Sequence, residues 1–255
     1  MPLKKTDAII LRSIKQGETS KILSLFSPAS GKISVMAKGA RSAKSRFGGT
    51  LEPLNHISLV YYEKENRDLH ILSQADILDS FANIKSDLHK ISLASAVCEL
   101  INQLETSGEA NHVLFQLHLK TLQAMNQQVA QPLNLFQAFL LKLFKVLGFQ
   151  PDFSVCMNCR KSGFGDVTVN LSNGGYFCNA CKDLGGEGMA LSEGAVRTVI
   201  DYQRLPMAQL TGRETSETIR KQMGKFLVAY LQYHLDGYRE LRSIRFYKNL
   251  DAHLH

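Results

Sequence analysis

Two C-x-x-C pairs place the strongest restriction on what this chain can fold into. They form the pattern C-x2-C-x18-C-x2-C at Cys156, Cys159, Cys178 and Cys181. This spacing lies within the range of tetrahedral four-cysteine zinc sites. Each pair can direct two thiolates at one ion, and the residues between the pairs can form a hairpin that turns at Asn173-Gly174. Two redox-active dithiols are the alternative, but no thioredoxin-like strand–helix context flanks either pair.

The expected metal is one structural Zn²⁺ ion. Four thiolates fill the tetrahedron and leave no open position for a catalytic water. The segment from about residue 153 to 189 is rich in Gly, Asn and Asp and poor in apolar residues. It cannot form a hydrophobic core of its own and needs a metal cross-link to fold. The chain has five cysteines, an odd number, and paired C-x-x-C motifs are typical of a reducing compartment.

The first eighty residues have the composition of β-strands. Short runs rich in Ile, Val, Leu and Tyr alternate with turn-forming residues. The runs are AIILRSI, KILSLFS, KISVMAK, HISLVYYE and LHILSQADIL. A five-stranded oligonucleotide/oligosaccharide-binding (OB) barrel is the simplest closed arrangement at this length. Tyr61 and Tyr62 are neighbours on one strand, so only one of them can face outward.

Beyond residue 80 the apolar residues recur at helical spacing. Helices are predicted over about 83–104, over about 110–127 and from Pro132 to Gly148, and the helical pattern returns after Leu191. The fold class is therefore α+β with several domains. Its parts are an OB barrel over 1–80, a first helical part over 81–152, a four-cysteine zinc module over 153–189 inserted between helices, and a second helical part over 190–255.

A purely basic stretch runs through the predicted barrel. Five cations and no acid lie between residues 32 and 46, and three glycines lie among or just after them. These cations are Lys32, Lys38, Arg41, Lys44 and Arg46. Flexible cations contact phosphates, glycines let the backbone approach closely, and Phe47 is placed to stack on a base. The other interpretation is a solvated loop in which Phe47 closes the end of the barrel.

A second basic feature lies near the C-terminus. Arg239, Arg242, Arg245 and Lys248 recur every three residues and form a slowly drifting stripe if the segment is helical. Such a stripe can hold DNA or an acidic peptide tail. A solvated helix end that complements the helix dipole explains the same residues.

No catalytic motif is present in the sequence. It contains no G-x4-G-K-[ST] phosphate loop, no G-x-G-x-x-G, no G-x-S-x-G and no H-E-x-x-H. We therefore expect a binding protein and not an enzyme. No stretch is long and apolar enough for a membrane helix or a signal peptide, which favours a cytoplasmic protein. The net charge of +7 fits nucleic acid, an anionic membrane surface or an acidic protein partner.

The N-terminal segments resemble the RecO family of bacterial recombination mediators. The segments GETSKILSLFS, GKISVMAKGAR and SRFGGTLEPL match that family in order and spacing, and the basic LRSIRFY matches its C-terminal end. The order of barrel, helices and inserted cysteine module is also that of the family. All four cysteines are present here, so the zinc site of the cysteine-bearing members carries over to Cys156, Cys159, Cys178 and Cys181.

The resemblance implies functions that composition and spacing do not show. It implies binding of single- and double-stranded DNA, with Lys38, Arg41, Lys44 and Arg46 as contacts, and annealing of complementary strands in the bacterial nucleoid. It also implies an interaction with the acidic tail of single-stranded DNA-binding protein, and loading of RecA together with RecR. The alternative is a zinc-ribbon interaction protein of transcription or the ribosome whose barrel binds RNA or protein.

Overall fold

A computed structural model describes residues 2–65, 67–105, 108–163, 165–184 and 188–253 of the chain. The strands are β1 (Leu3–Gln16), β2 (Ser20–Ser27), β3 (Gly31–Ala37), β4 (His56–Tyr62), β5 (Leu69–Asp79), β6 (Val167–Asn170), β7 (Tyr176–Cys178) and β8 (Gly188–Leu191). The α-helices are α1 (Ala82–Lys85), α2 (Leu88–Leu104), α3 (His112–Met125), α4 (Pro132–Leu147), α5 (Glu193–Arg204), α6 (Glu217–His234) and α7 (Arg242–His253). Two short 3₁₀ helices span Lys182–Leu184 and Met207–Leu210.

The first five strands close into a barrel with the order β1-β2-β3-β5-β4. All neighbouring pairs are antiparallel except β3 and β5, which run parallel. The long strand β1 closes the barrel because its first half pairs with β4 and its second half with β2. The register of β1 against β2 shifts between Ile10 and Arg12, where a bulge bends the strand. The predicted five-stranded OB barrel is confirmed.

Strict alternation fills the barrel interior. In β3 every second residue is buried, from Gly31 through Ile33 and Val35 to Ala37, as a strand with one face on a core requires. Tyr61 is 1% exposed within this core whereas Tyr62 is 37% exposed, so the two neighbouring tyrosines point to opposite faces as the sequence predicts.

By its internal contacts the chain forms two compact units. The first contains residues 1–126 and 240–255, and the second contains 127–239. The domain limits at residues 80, 152 and 189 stay predictions. None of the helices in the described part of the chain combines the length and the apolar character needed to cross a membrane.

In the first unit the helices cover one part of the barrel's outer wall. Phe26 of β2 is fully buried and its ring lies 5.9 Å from that of Phe115 on α3. A single helix over 83–104 was expected, but the segment divides into α1 and α2. The Asp87 side chain interrupts it, since its carboxylate accepts the backbone N–H groups of His89 and Lys90 and so caps α2.

In the second unit α4, α5 and α6 pack together. Pro132 lies in the first turn of α4, and Gly148 ends the helix with φ of 89°, as predicted from their positions. Ser192 caps α5 through a bond from the backbone N–H of Ala195, also as predicted. The Tyr230 hydroxyl of α6 donates to the carbonyl of Phe149 at 2.9 Å, which ties α6 to the chain just after α4.

The cysteine segment of this unit forms a three-stranded sheet in the order β7-β6-β8. The predicted β6–β7 hairpin is present, and Gly174 in its turn has φ of 71°. A Cβ at this position would lie 2.4 Å from the Tyr230 hydroxyl oxygen. The positive φ and the lack of room for a side chain therefore both require glycine here. The strand β8 was not predicted, because four residues that include Gly188 and Ala190 carry little β-propensity.

Candidate nucleic-acid interface and metal centre

Four of the five cations of the N-terminal stretch lie on the segment between β3 and β4, and we call residues 38–49 the basic loop. The loop is tied to the turn between β1 and β2. The backbone N–H of Arg41 donates to the carbonyl of Thr19 at 2.8 Å, and the Arg41 Nη1 donates to the carbonyl of Gly17 at 2.9 Å. These bonds hold the loop at the barrel end where β1 finishes and β2 begins.

The same segment also closes that end of the barrel. Ala40, Phe47 and Leu51 belong to the buried barrel core. The buried Asn55 side chain donates to the carbonyls of Gly49 and Thr50 at 3.0 and 2.9 Å. The basic loop is therefore anchored on two sides, which fixes the positions from which its charged side chains extend.

Four cations project from this anchored backbone into solvent. They are Lys38, Arg41, Lys44 and Arg46, all of which are exposed. In the described residues none of these four forms an ion pair with a carboxylate. Because their charges are not neutralised within the protein, they can attract a polyanion.

Sequence reasoning missed a fifth cation at the same end of the barrel. Exposed Lys15 lies opposite Lys21, which in turn lies opposite Ala37 at the end of β3. Lys21 forms an ion pair with Glu52 at 2.9 Å. Lys15 lies on β1 and extends the exposed basic surface onto that strand. The turn at Gly17 is the signal that could have placed it there, because a hairpin brings the residues on its two sides together.

Phe47 does not occupy the position expected for base stacking. Its side chain is 4% exposed and lies in the barrel core, so the prediction that it stacks on a base is wrong and the alternative, that it closes the barrel end, is correct. The guanidinium of Arg46 lies 5.0 Å from the centre of the Phe47 ring. The ring therefore positions a cation of the basic loop and does not itself meet the ligand.

Lys32 is also separated from the basic loop. It lies at the start of β3, roughly 20 Å from Lys38 at an extended spacing of 3.3 Å per residue. Its Nζ donates to the carbonyl of Asn102 at 2.9 Å, and burial lowers its pKa. The structure thus removes Lys32 from the predicted DNA contacts and gives it a role in holding α2 against the barrel.

Three cations of the C-terminal stripe lie on α7. Arg242, Arg245 and Lys248 are exposed, while Arg239 is an exposed residue at the end of the second unit. Helix α7 packs on α2, where the Ser243 hydroxyl donates to the Glu99 carboxylate at 2.9 Å. A groove of about 310 Å³ lies between the two helices, and Ile91, Ser92, Ser95, Arg242, Ser243 and Phe246 line it.

The four cysteines converge as their spacing predicts. Their sulfur atoms all lie within 4.8 Å of one another, and the Cys159 and Cys178 sulfurs are 3.8 Å apart. A tetrahedral site with Zn–S bonds of about 2.3 Å requires sulfur atoms about 3.8 Å apart. The Cys156 sulfur accepts the backbone N–H of Cys178, and the Cys181 sulfur accepts the Asn158 side-chain amide, both at 3.4 Å.

The electrostatics of this cluster also suit a bound cation. Burial acts to raise the pKa of Cys156, but hydrogen bonds from the backbone of residues 178, 159 and 158 outweigh it and lower the pKa to about 6. Burial and hydrogen bonds to the other thiols raise the pKa of Cys178 to about 11. A divalent cation would deprotonate all four thiols. The cluster therefore fits one metal ion with a closed set of four thiolate ligands.

The fold and the two sites define an OB-fold protein with helical parts and a four-cysteine cluster that can hold a metal ion. Two family models cover most of the chain: "Recombination protein O N terminal" matches residues 1–81 and "Recombination protein O C terminal" matches residues 85–243.

Curated relatives agree over nearly the full length. The chain is 32% identical to the DNA repair protein RecO of Desulfatibacillum aliphaticivorans, over 98% of both chains. It is 31% identical to the DNA repair protein RecO of Thermoanaerobacter sp. (strain X514), over 98% of this chain and 99% of the relative. This chain belongs to the RecO family of DNA repair proteins.

Proposed function

We propose that the chain is a DNA-binding recombination mediator whose barrel holds single- and double-stranded DNA at the basic loop. The observation that carries this proposal is the set of four exposed cations that have no carboxylate partner in the described part of the chain. Phe47 and the bonds of Arg41 to the neighbouring turn anchor them. A fixed cluster of cations binds phosphates regardless of sequence, because it releases the counterions of the DNA.

The same surface would promote annealing of complementary strands. Two single strands repel each other through their phosphates, and cations that neutralise both backbones lower this repulsion. This activity requires no bond to be made or broken, and we propose that the protein is not an enzyme. It would act in the bacterial cytoplasm, on the nucleoid.

The proposed partners follow from membership of the family, and a groove in the first unit supports the proposal for one of them. The groove between α2 and α7 combines apolar Ile91 and Phe246 with the cation of Arg242. An acidic peptide has the charge that complements Arg242, and we propose that this groove receives the acidic tail of single-stranded DNA-binding protein. The loading of RecA together with RecR completes the proposed role.

We further propose that the four-cysteine cluster holds one structural Zn²⁺. Cys156, Cys159, Cys178 and Cys181 would ligate it and so cross-link the β6–β7 hairpin to the segment before β6. Zinc bound in this way supplies folding free energy and no reactive position, because the four thiolates complete its tetrahedron.

Strand annealing tests the proposed function. We expect the protein to accelerate pairing of complementary oligonucleotides, and replacement of Lys38, Arg41, Lys44 and Arg46 with alanine to slow that pairing at least tenfold. The rate is followed by the fluorescence of a donor on one strand and a quencher on the other.

The matched control removes four cations from exposed positions on α5 and α6. It replaces Arg197, Arg204, Lys221 and Lys225 with alanine, so its net charge equals that of the test variant. We expect this control to anneal strands at the wild-type rate. Equal rates for the test variant and wild type would contradict the role of the basic loop, and a preference for RNA over DNA would favour an RNA-binding barrel.

A further inference from the structure

The register of the barrel strands places six apolar residues in one continuous row on the outer face. Residues directly opposite each other on neighbouring strands share a face of the sheet. Going round the barrel, the successive pairs are Ile14↔Ile22, Ile22↔Met36, Met36↔Ile71, Ile71↔Tyr62 and Tyr62↔Leu3. We call these six residues the apolar strip. It crosses the strands at right angles, with steps of about 4.8 Å.

The apolar strip lies on a part of the outer face that stays exposed. Further along the same outer face, Phe26 is fully buried beneath Phe115 of α3, and Ile9, which lies opposite Phe26, is fully buried as well. In contrast, Leu3, Ile14 and Tyr62 are 57%, 39% and 37% exposed, and the other three members are partly exposed. Barrel walls that face water carry polar residues at such positions, so a row of six apolar side chains indicates a contact surface.

Cations border the strip on both sides. Exposed Arg12 lies two residues before Ile14 on the same face of β1, at a distance of about 7 Å. Lys38 of the basic loop follows Met36 by two residues. Glu63, which follows Tyr62 in the chain, is paired with Lys4 at 2.7 Å. An apolar row between cations has the chemistry of a surface for single-stranded nucleic acid, in which bases need apolar contacts and phosphates need positive charges.

We propose that the bases of a single DNA strand lie across the apolar strip while its phosphates contact Arg12 and the cations of the basic loop. This proposal rests on the proposed DNA binding and names the surface that meets the bases. In an OB fold the face of the second and third strands binds oligonucleotides, and Ile22 and Met36 lie on those strands. Tyr62 supplies the aromatic ring that the buried Phe47 cannot supply.

An abasic oligonucleotide isolates the contribution of the bases, because it keeps the phosphates and lacks the stacking surfaces. The test variant carries Ile22→Thr, Met36→Thr and Tyr62→Thr, which replace partly exposed residues with a good strand former. The control variant carries Ile77→Thr and Leu78→Thr, at exposed apolar positions outside the strip. Binding of both oligonucleotides is measured by fluorescence anisotropy at one salt concentration, and circular dichroism verifies that each variant is folded.

We expect wild type and control variant to bind the normal oligonucleotide at least tenfold more tightly than the abasic one. The strip variant should lose about tenfold or more for the normal oligonucleotide and nothing for the abasic one. Equal binding of the normal oligonucleotide by strip variant and wild type would overturn the inference and leave the strip to a protein partner. Equal binding of both oligonucleotides by wild type would also overturn it. Failure of wild type to bind either would overturn the proposed DNA binding itself.

Discussion

Replacing Cys181 with serine should abolish the proposed zinc binding at the four-cysteine cluster and unfold the segment from about residue 153 to 191. The sheet of this segment is small, since β6, β7 and β8 have four, three and four residues. Structural zinc contributes on the order of 10 kcal/mol to such a module at neutral pH. We expect about one zinc per chain in wild type and almost none in the variant, as measured by native mass spectrometry, together with rapid proteolysis within the segment.

The fifth cysteine provides the control for this experiment. Cys98 is buried on α2 and lies outside the cluster. Cys98→Ala should keep one zinc per chain and leave the segment resistant to protease, even if the small cavity lowers overall stability. A Cys181→Ser protein that retains stoichiometric zinc and wild-type protease resistance would contradict the structural role of the metal.

The first compact unit should lose stability in mild acid because of His118. This imidazole is fully buried, and burial lowers its pKa to about 3, with a further contribution from His56. The lowered pKa means that the unfolded chain takes up a proton below pH 6.5 whereas the folded chain does not. The free energy of unfolding should therefore fall by about 1.4 kcal/mol per pH unit from pH 6.5 down to about 3.

Urea unfolding followed by circular dichroism at pH 7 and pH 5 measures this loss. Wild type should lose about 2 kcal/mol more than His118→Leu between these two values. Leucine suits the apolar side of this position, where the His118 ring lies 6.3 Å from that of Phe26. It loses the contact of Nε2 with the Cys98 sulfur at 3.4 Å, but it does so at both pH values. His112→Leu, at an exposed position of the same helix, should behave like wild type. The same pH dependence in all three proteins would exclude His118 as the cause.

The features that the sequence predicts well are those that local patterns determine. Alternation in GKISVMA predicts a half-buried strand, the ends of α4 follow from Pro132 and Gly148, and the cysteine spacing predicts the cluster. In each case the residues that determine the structure are neighbours in the chain or belong to one short motif.

The features that the sequence did not reveal depend on strand register. Phe47 is an aromatic residue beside cations in a glycine-rich loop, and only the closed barrel shows that its ring fills the core. Lys32 and Lys38 are only six residues apart in the sequence. Because an extended strand lies between them, they are at opposite ends of the barrel. The apolar strip combines residues from all five strands, so no single segment of the sequence shows it.

The most direct test of DNA binding at the basic loop is the affinity for a labelled single-stranded oligonucleotide across a salt series. It compares wild type with the protein in which Lys38, Arg41, Lys44 and Arg46 are alanine. The logarithm of the affinity should fall linearly with the logarithm of salt, and the slope should be shallower by about 0.7 for each phosphate that the variant no longer neutralises. A weaker and flatter line for the variant is the predicted result, and coincident lines for the two proteins would contradict it.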